Sequence, residues 1–338
     1  MSEVSAFHAL LDRLLGGLRW FWVLLGLLNV SGVLASTLQP PQNGWASWRV
    51  AAVADAPDWC CPQSADQPRP LQSCDLDSRH QGFSASHQDR GVAQMQIYAH
   101  FKAGELNRIR AYGSSCPVRA KSPIADLGEI DAATSAAWLD AQIAPRRPLS
   151  CEVMAALAVH AGDEVDARLN RIAGADPARE SRKDALFWLG QVRGEPGARL
   201  IEPFLSRDPD AGIREHAAFA LSQSRSPRRG DLLIAQAQQD SSTQVRSQAW
   251  FWLAQIGDPR SESAITAALN TETSSQVRHQ AVFALSQLPQ PRAVQALIGL
   301  LENRAVALDV RKQALFWMGQ SGDEAAIRYL DRMLATVK

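Results

Sequence analysis

Five ten-residue segments of this chain superimpose without a gap: RKDALFWLGQ from Arg182, REHAAFALSQ from Arg214, RSQAWFWLAQ from Arg246, RHQAVFALSQ from Arg278 and RKQALFWMGQ from Arg311. Their starts are 32, 32, 32 and 33 residues apart. Arg, Ala, Phe, a Leu or Met, and Gln recur at fixed offsets, a coincidence that chance does not produce. One further step back reaches Ser150, where SCEVMAALAV is a worn sixth copy. Each copy is followed by a second apolar helical stretch, at Ala198–Leu205, Asp231–Ala237, Ser263–Leu269, Ala293–Leu301 and Glu324–Leu334. Gly or Pro usually separates the two, as in Gly257-Asp258-Pro259. A unit of two short helices cannot bury its apolar face alone and must stack on its neighbours. The expected fold class is therefore mainly α: an α-α superhelical solenoid of about six repeats over residues 146–338.

Helical geometry separates the faces of the repeated segment. At about 100° per residue with Ala185 as zero, Leu189 lies near 40°, Trp188 near −60° and Leu186 near 100°, which makes the packed face. Phe187 near 200° and Gln191 near 240° point away from it, as do Asp184 and Lys183. The same holds for Phe219, Phe251, Phe283 and Phe316, and for Gln223, Gln255, Gln287 and Gln320. Such a row is either a binding groove or repeat-to-repeat packing with Gln bonding along the array. Exposing Phe is costly, since its burial is worth roughly 1.5–3 kcal/mol. Trp188, Trp252 and Trp317 alternate with Ala220 and Ala284, a large-small pattern that reads as interdigitation.

The first half of the chain is different in kind. Trp20–Ala35 carries no charge, follows Arg13 and Arg19, and ends in small residues. Residues 1–35 read as a cleaved export signal with Ser36 as the first mature residue, or else as an uncleaved membrane anchor. Either way the bulk of the protein is expected outside the cytoplasm. All five Cys follow the proposed cleavage point, and Cys60, Cys61, Cys74 and Cys116 are disulfide candidates with three pairings open. Adjacent Cys60 and Cys61 do not easily bond to each other, so each is expected to reach Cys74 or Cys116. Zinc is the rival reading, against which stand the lack of a CxxC pair and of matching His spacing. Cys151 is expected to be a small buried residue and not a reactive thiol.

Residues 36–145 read as a small Cys/Trp-rich, partly β domain. Trp45–Val53 suggests a strand, and residues 54–91 a loop held by cysteines. Ala93–Phe101 and Leu106–Tyr112 flank Gly104 as a hairpin, with Met95, Ile97, Ala99 and Phe101 on one side. Ala132–Ile143 suggests a short helix. No nucleophile–base pair or phosphate loop stands out, and His80, His87 and His100 read as surface or packing residues.

Charge excludes one class of partner. Thirty-five basic residues balance 35 acidic ones, so the chain lacks the basic footprint that nucleic acid requires. Of the basic residues all but five are Arg, and the repeats explain the excess. Asp176, Asp208, Asp240 and Glu272 stand six residues before the Arg of four copies, with Ala305 at that place in the last. Ile213, Val245, Val277 and Val310 immediately precede the Arg.

This acid-to-Val-Arg pattern, over roughly residues 150–335, resembles the HEAT-repeat family in its short, bilin-lyase-like form. The resemblance implies that Arg182, Arg214, Arg246, Arg278 and Arg311 form a structural ladder with the loop acids, and that the Phe/Gln helices line the concave surface. The segments are also similar to those of deoxyhypusine hydroxylase, a HEAT enzyme whose paired His-Glu dipeptides bind two irons. The matching positions here are Lys183-Asp184, Glu215-His216, Ser247-Gln248, His279-Gln280 and Lys312-Gln313, none of them His-Glu. Only Glu215, His216, His279 and Asp184 have ligating side chains, and a di-iron centre needs several carboxylates and imidazoles converging. Taken whole, the chain resembles exported bacterial proteins that join a Trp/Cys-rich head to HEAT repeats, through Trp59-Cys60-Cys61, Cys74, Ser114–Pro117 and Phe316–Asp323.

The expectation is a periplasmic or envelope scaffold that binds a protein or peptide through the concave Phe/Gln face. It needs no cofactor, metal or catalytic residues. The alternative is a HEAT-type metal-dependent enzyme or a bilin-lyase-like binder of small molecules, and architecture alone does not imply either activity.

Overall fold

A computed structural model describes residues 38–54, 56–61, 73–78, 84–85, 91–143 and 149–335. The apolar segment 20–35 with its flanking Arg13 and Arg19, His80 and His87, much of the loop 54–91 and the 144–148 junction lie outside the described residues. No described helix is long and apolar enough to cross a membrane.

The head is built on alternation. Strands β1 (Gly44–Ala51), β5 (Gln94–Lys102), β6 (Glu105–Gly113) and β8 (Ile124–Glu129) form one sheet in the order β6-β5-β1-β8. β1 and β5 are antiparallel, as are β5 and β6, while β8 runs parallel to β1. The β5–β6 hairpin turns through Ala103 (φ 52°) and Gly104 (φ 78°). Two left-handed residues in a row match the right-handed twist of the flanking strands. Gly104 was expected to do this, and Ala103 does it at a steric cost.

Because side chains alternate across a strand, the sheet has two buried faces. Ala46, Trp48, Val50, Met95, Ile97, Ala99 and Phe101 face helix α1 (Ala132–Gln142) and the repeats. Trp45, Tyr98 and Tyr112 face a small second core with Cys74, Leu76 and Cys116. The disulfides Cys60–Cys116 and Cys61–Cys74 fix that layer. They tie together the two-residue strands β2 (Trp59–Cys60), β3 (Cys74–Asp75) and β7 (Val118–Arg119); a fourth, β4 (Ser84–Ala85), pairs with β2. These elements are too short to persist without a covalent constraint or a core to lie on.

The rest is helical. After α2 (Ser150–Ala158) and α3 (Asp163–Ala175) come α4 (Arg179–Val192), α5 (Gly194–Arg207), α6 (Ala211–Gln223), α7 (Arg229–Gln239) and α8 (Thr243–Gln255). They are followed by α9 (Ser261–Leu269), α10 (Ser275–Ser286), α11 (Arg292–Glu302), α12 (Leu308–Gln320) and α13 (Glu324–Ala335). The five repeated segments lie in α4, α6, α8, α10 and α12, which stack on one another, and α5, α7, α9, α11 and α13 carry the second stretches. This is a HEAT-like solenoid, and the worn copy at Ser150 is α2.

The Arg ladder has defined geometry. Arg214 donates through Nη1 to Asp208 O (2.9 Å) in its own loop and, through Nε and Nη2, to both carboxylate oxygens of Asp240 in the next (2.8 and 2.9 Å). Arg246 repeats this with Asp240 O (2.8 Å) and Glu272 (2.9 and 3.0 Å). Arg182 pairs with Asp208. Each loop acid also accepts from the backbone N–H two residues on, as Asp240 does from Ser242 (2.7 Å), and so shapes the turn into the next helix. Ala305 breaks the acid pattern, and Asp309 takes over, accepting from Arg278 Nη2 at 2.8 Å. That contact holds the Asp309 carboxyl below its usual range.

Head and array share one continuous core. At the join, His160 is fully buried. Its Nδ1–H donates to Ala156 O (2.7 Å), and Nε2 accepts from Ser135 Oγ (2.8 Å), which in turn accepts from Trp48 Nε1 (2.8 Å). Arg193 clamps the same corner by donating to Ala158 O (3.1 Å), His160 O (2.6 Å) and Gly162 O (2.9 Å).

Candidate functional site: an aromatic strip along the stacked helices

The outward Phe row is neither free nor fully buried. Phe187, Phe219, Phe251 and Phe283 are half-buried, and Phe316 is 53% exposed. The rings touch in series. Phe187 stacks on Phe219 (centroids 5.9 Å), Phe219 meets Trp252 (4.9 Å), Phe251 stacks on Phe283 (5.9 Å), and Phe283 meets Trp317 (4.8 Å). Edge-to-face contacts within repeats, Phe187–Trp188, Phe251–Trp252 and Phe316–Trp317, join these into one strip.

The Trp/Ala alternation now has a spatial meaning. A Trp in one repeat leans over the Phe of the repeat before it, and the Ala in that earlier repeat leaves the space. Trp188 has no earlier Phe to cover. It meets Trp59 of the head instead, at 5.5 Å, so the head supplies the missing ring and closes the strip at its first repeat. Phe–Phe and Phe–Trp pairs in these geometries add roughly 0.5–1.5 kcal/mol each beyond area burial. The strip is thus packing and exposed surface at once.

The Gln row does not zip the repeats together. Gln223 Nε2 donates to Ser222 Oγ (2.9 Å) and Gln287 Nε2 to Ser286 Oγ (3.1 Å), both beside them on the same helix. Gln191, Gln255 and Gln320 are exposed.

A groove of about 520 Å³ opens where the strip passes Phe219. Its floor is Phe219 and Trp252, and its rim carries Arg179, Lys183, Glu215 and His216. Arg179 is held by Asp210 (2.8 Å) and Lys183 by Glu180 (3.0 Å). His216 Nε2 donates to Lys183 O (2.9 Å), and its pKa is lowered, by burial first and by the Lys183 charge. An apolar floor with an ionic rim suits a segment with an aromatic or aliphatic anchor and charged neighbours. Two smaller hollows, of about 490 and 260 Å³, flank the ladder at Arg214–Asp240 and Arg246–Glu272.

The remaining candidate ligands are dispersed. His279 Nε2 lies 3.7 Å from Asp309, and Asp184 is half-buried with its pKa raised, by burial first and then by Glu180 and Glu152. Among the described residues, the one convergent group of potential metal ligands is Cys60, Cys74 and Cys116, whose sulfurs the two disulfides occupy. Cys151 corrects an expectation: it is exposed, not buried. Partial desolvation first, then Asp184 and Glu152, push its thiol up to about 11, so it is largely protonated at neutral pH and a poor nucleophile.

Comparison with known proteins names the repeat. Residues 165–249 and 230–315, within the helical array, match the HEAT-repeat family. No curated protein matches the chain. Among solved structures, Escherichia coli YibA is similar over 55% of this chain and 68% of its own, at 23% identity and a TM-score of 0.35. Human deoxyhypusine hydroxylase, solved in complex with glycerol, is similar over 59% of this chain and 90% of its own, at 17% identity and a TM-score of 0.26.

Two features, one at the join and one in the last repeat, escaped sequence reasoning. His160 follows an apolar run, as core histidines often do, but nothing local announces Ser135 as its partner. Asp309 lies four residues beyond Ala305, the place at which the other repeats carry their acid, so the repeat pattern does not point to it.

Proposed function

We propose that this protein is an exported scaffold that binds an extended protein or peptide segment along the aromatic strip, centred on the groove at Phe219. One observation carries the reading: aromatic rings run unbroken along the stacked helices yet stay half-exposed, beside a groove with an ionic rim. Aromatic floors of this kind supply anchoring contacts, while the rim sets orientation and partner choice. The two disulfides of the head support an oxidising compartment outside the cytoplasm. The protein acts without a catalytic centre in this reading.

The test is selection of peptides from a displayed library, followed by affinity measurement on two variants. Phe219→Ser removes the floor, and Lys183→Glu reverses the rim without touching the core. Both are expected to weaken a selected peptide about tenfold or more while the helical circular dichroism persists. Equal affinity for wild type and both variants refutes the groove. Stoichiometric metal in protein purified without chelators would instead favour the hydroxylase-like alternative through Glu215, His216 and His279.

A further inference from the structure

Among the described residues, the outer faces of the first and last repeats are covered differently. On the head side the first full repeat is covered, with Trp59 on Trp188. At the last repeat, α12 and α13 leave apolar side chains in solvent: Leu308 is 58% exposed, Leu315 39%, Ile327 52% and Leu334 64%. Two of these positions are buried or partly buried wherever another repeat follows. Leu315 corresponds to Leu186, Ala218, Trp250 and Val282, all at most 1% exposed. Leu334 corresponds to Leu205, Ala237 and Leu269, at 3%, 1% and 5%, and to Leu301, which is partly buried against the core.

The ladder is open at the same place. Arg182, Arg214, Arg246 and Arg278 each reach a carboxylate of the following repeat. Arg311 is the next rung, and its Nε is buried with no hydrogen-bond partner. Trp317 Nε1, on the same helix, is also buried without one. Buried donors left unpaired are destabilising, more so when charged. Asp331 lies on α13 between Ile327 and Leu334, exposed and in no ion pair among the described residues. It stands where earlier repeats carry Glu202, Ile234, Thr266 and Ile298; Glu202 pairs with Arg228, whereas Asp331 has no such partner among the described residues.

We propose that this face docks against the same face of a second copy of the chain, about a two-fold axis running parallel to α12 and α13. Head-to-tail stacking is closed off because the head covers the opposite end. Two copies can bury this face against each other in an isologous contact. Rotation about that axis sets α12 of one copy on α13 of the other. Arg311 lies near the start of α12 and Asp331 near the end of α13, so both sit at the same end of the hairpin. The symmetry then brings Arg311 of each copy to Asp331 of its mate, completing the ladder twice, with Leu315, Ile327 and Leu334 filling the centre.

The test is sedimentation of the full chain and of four variants. The wild type is expected to be a dimer with dissociation in the micromolar range or below. Leu315→Glu, Arg311→Glu and Asp331→Arg should each weaken the dimer about tenfold or more, without lowering the helical signal. Arg311→Glu combined with Asp331→Arg restores the pairing with reversed sign and should recover most of the loss. A monomer throughout the micromolar range overturns the proposal. So does a dimer indifferent to Leu315→Glu, which places the contact elsewhere. Failure of the double variant to recover overturns the two-fold arrangement.

Discussion

His160 makes the join between head and array sensitive to mild acid. Its imidazole is enclosed, with Nδ1–H on Ala156 O and Nε2 taking the Ser135 hydroxyl proton. Burial first, and the nearby Arg193 charge, lower its pKa from 6.5 to about 4. In the unfolded chain the ring binds a proton near pH 6.5; in the folded chain it resists until about pH 4. The unfolded state therefore takes up the proton first as pH falls. The stabilisation is complete above 6.5, is lost between 6.5 and about 4, and changes no further below. At 1.36 kcal/mol per unit, the whole loss is about 3 kcal/mol, with a slope of about 1.4 kcal/mol per pH unit inside the window. Urea unfolding followed by tryptophan fluorescence reads it, since Trp48 is part of the network. His160→Gln removes the titration while keeping a side-chain donor and acceptor. It is less stable than wild type at neutral pH, and the gap narrows by about 1.4 kcal/mol per unit on acidification. His100 and His216, whose pKa values are also lowered by burial first, titrate in both proteins and cancel in the difference. Parallel pH profiles for the two proteins across the window would refute the reasoning.

Two contrasts probe the array. Arg214→Ala leaves the nearly buried Asp240 carboxylate without its bidentate partner (side-chain exposures 11% and 3%), a loss of about 3–5 kcal/mol. Arg260→Ala removes an exposed, solvent-screened guanidinium and is expected to cost far less than Arg214→Ala; urea melts of the two variants separate buried rungs from surface pairs. Gly190 and Gly319 occupy the same place in their repeats, but a Cβ on Gly190 would meet Ala220 O at 1.9 Å, whereas one on Gly319 meets nothing within 4 Å. Gly190→Ala should destabilise by about 1–3 kcal/mol through overpacking, and Gly319→Ala should stabilise by up to about 1 kcal/mol through helix propensity. Equal shifts in melting temperature would contradict that account.

What the sequence determined by itself is what repeats or alternates locally. A 32-residue period with two apolar stretches admits little but stacked helix pairs, and Arg spaced against loop acids reads as a ladder once the HEAT pattern is seen. Alternation over 93–112 about Gly104 fixes a hairpin, because side-chain direction in a strand follows from the backbone alone. Tertiary structure decided whatever depends on distances across the chain. Four cysteines allow three pairings, and the closeness of Cys60 to Cys116 and of Cys61 to Cys74 is set by where the sheet holds short strands far apart in sequence. The direction in which each Trp leans, back over the preceding Phe, depends on how one helix sits on the next, which the period leaves free. So does the placing of Trp59 as the strip's first ring. Cys151 was read as buried from its residue type, yet its side of α2 meets solvent. The Ser135–His160 hydrogen bond spans 25 residues and two kinds of structure; a buried polar pair of that sort is specified only when the fold brings donor and acceptor together.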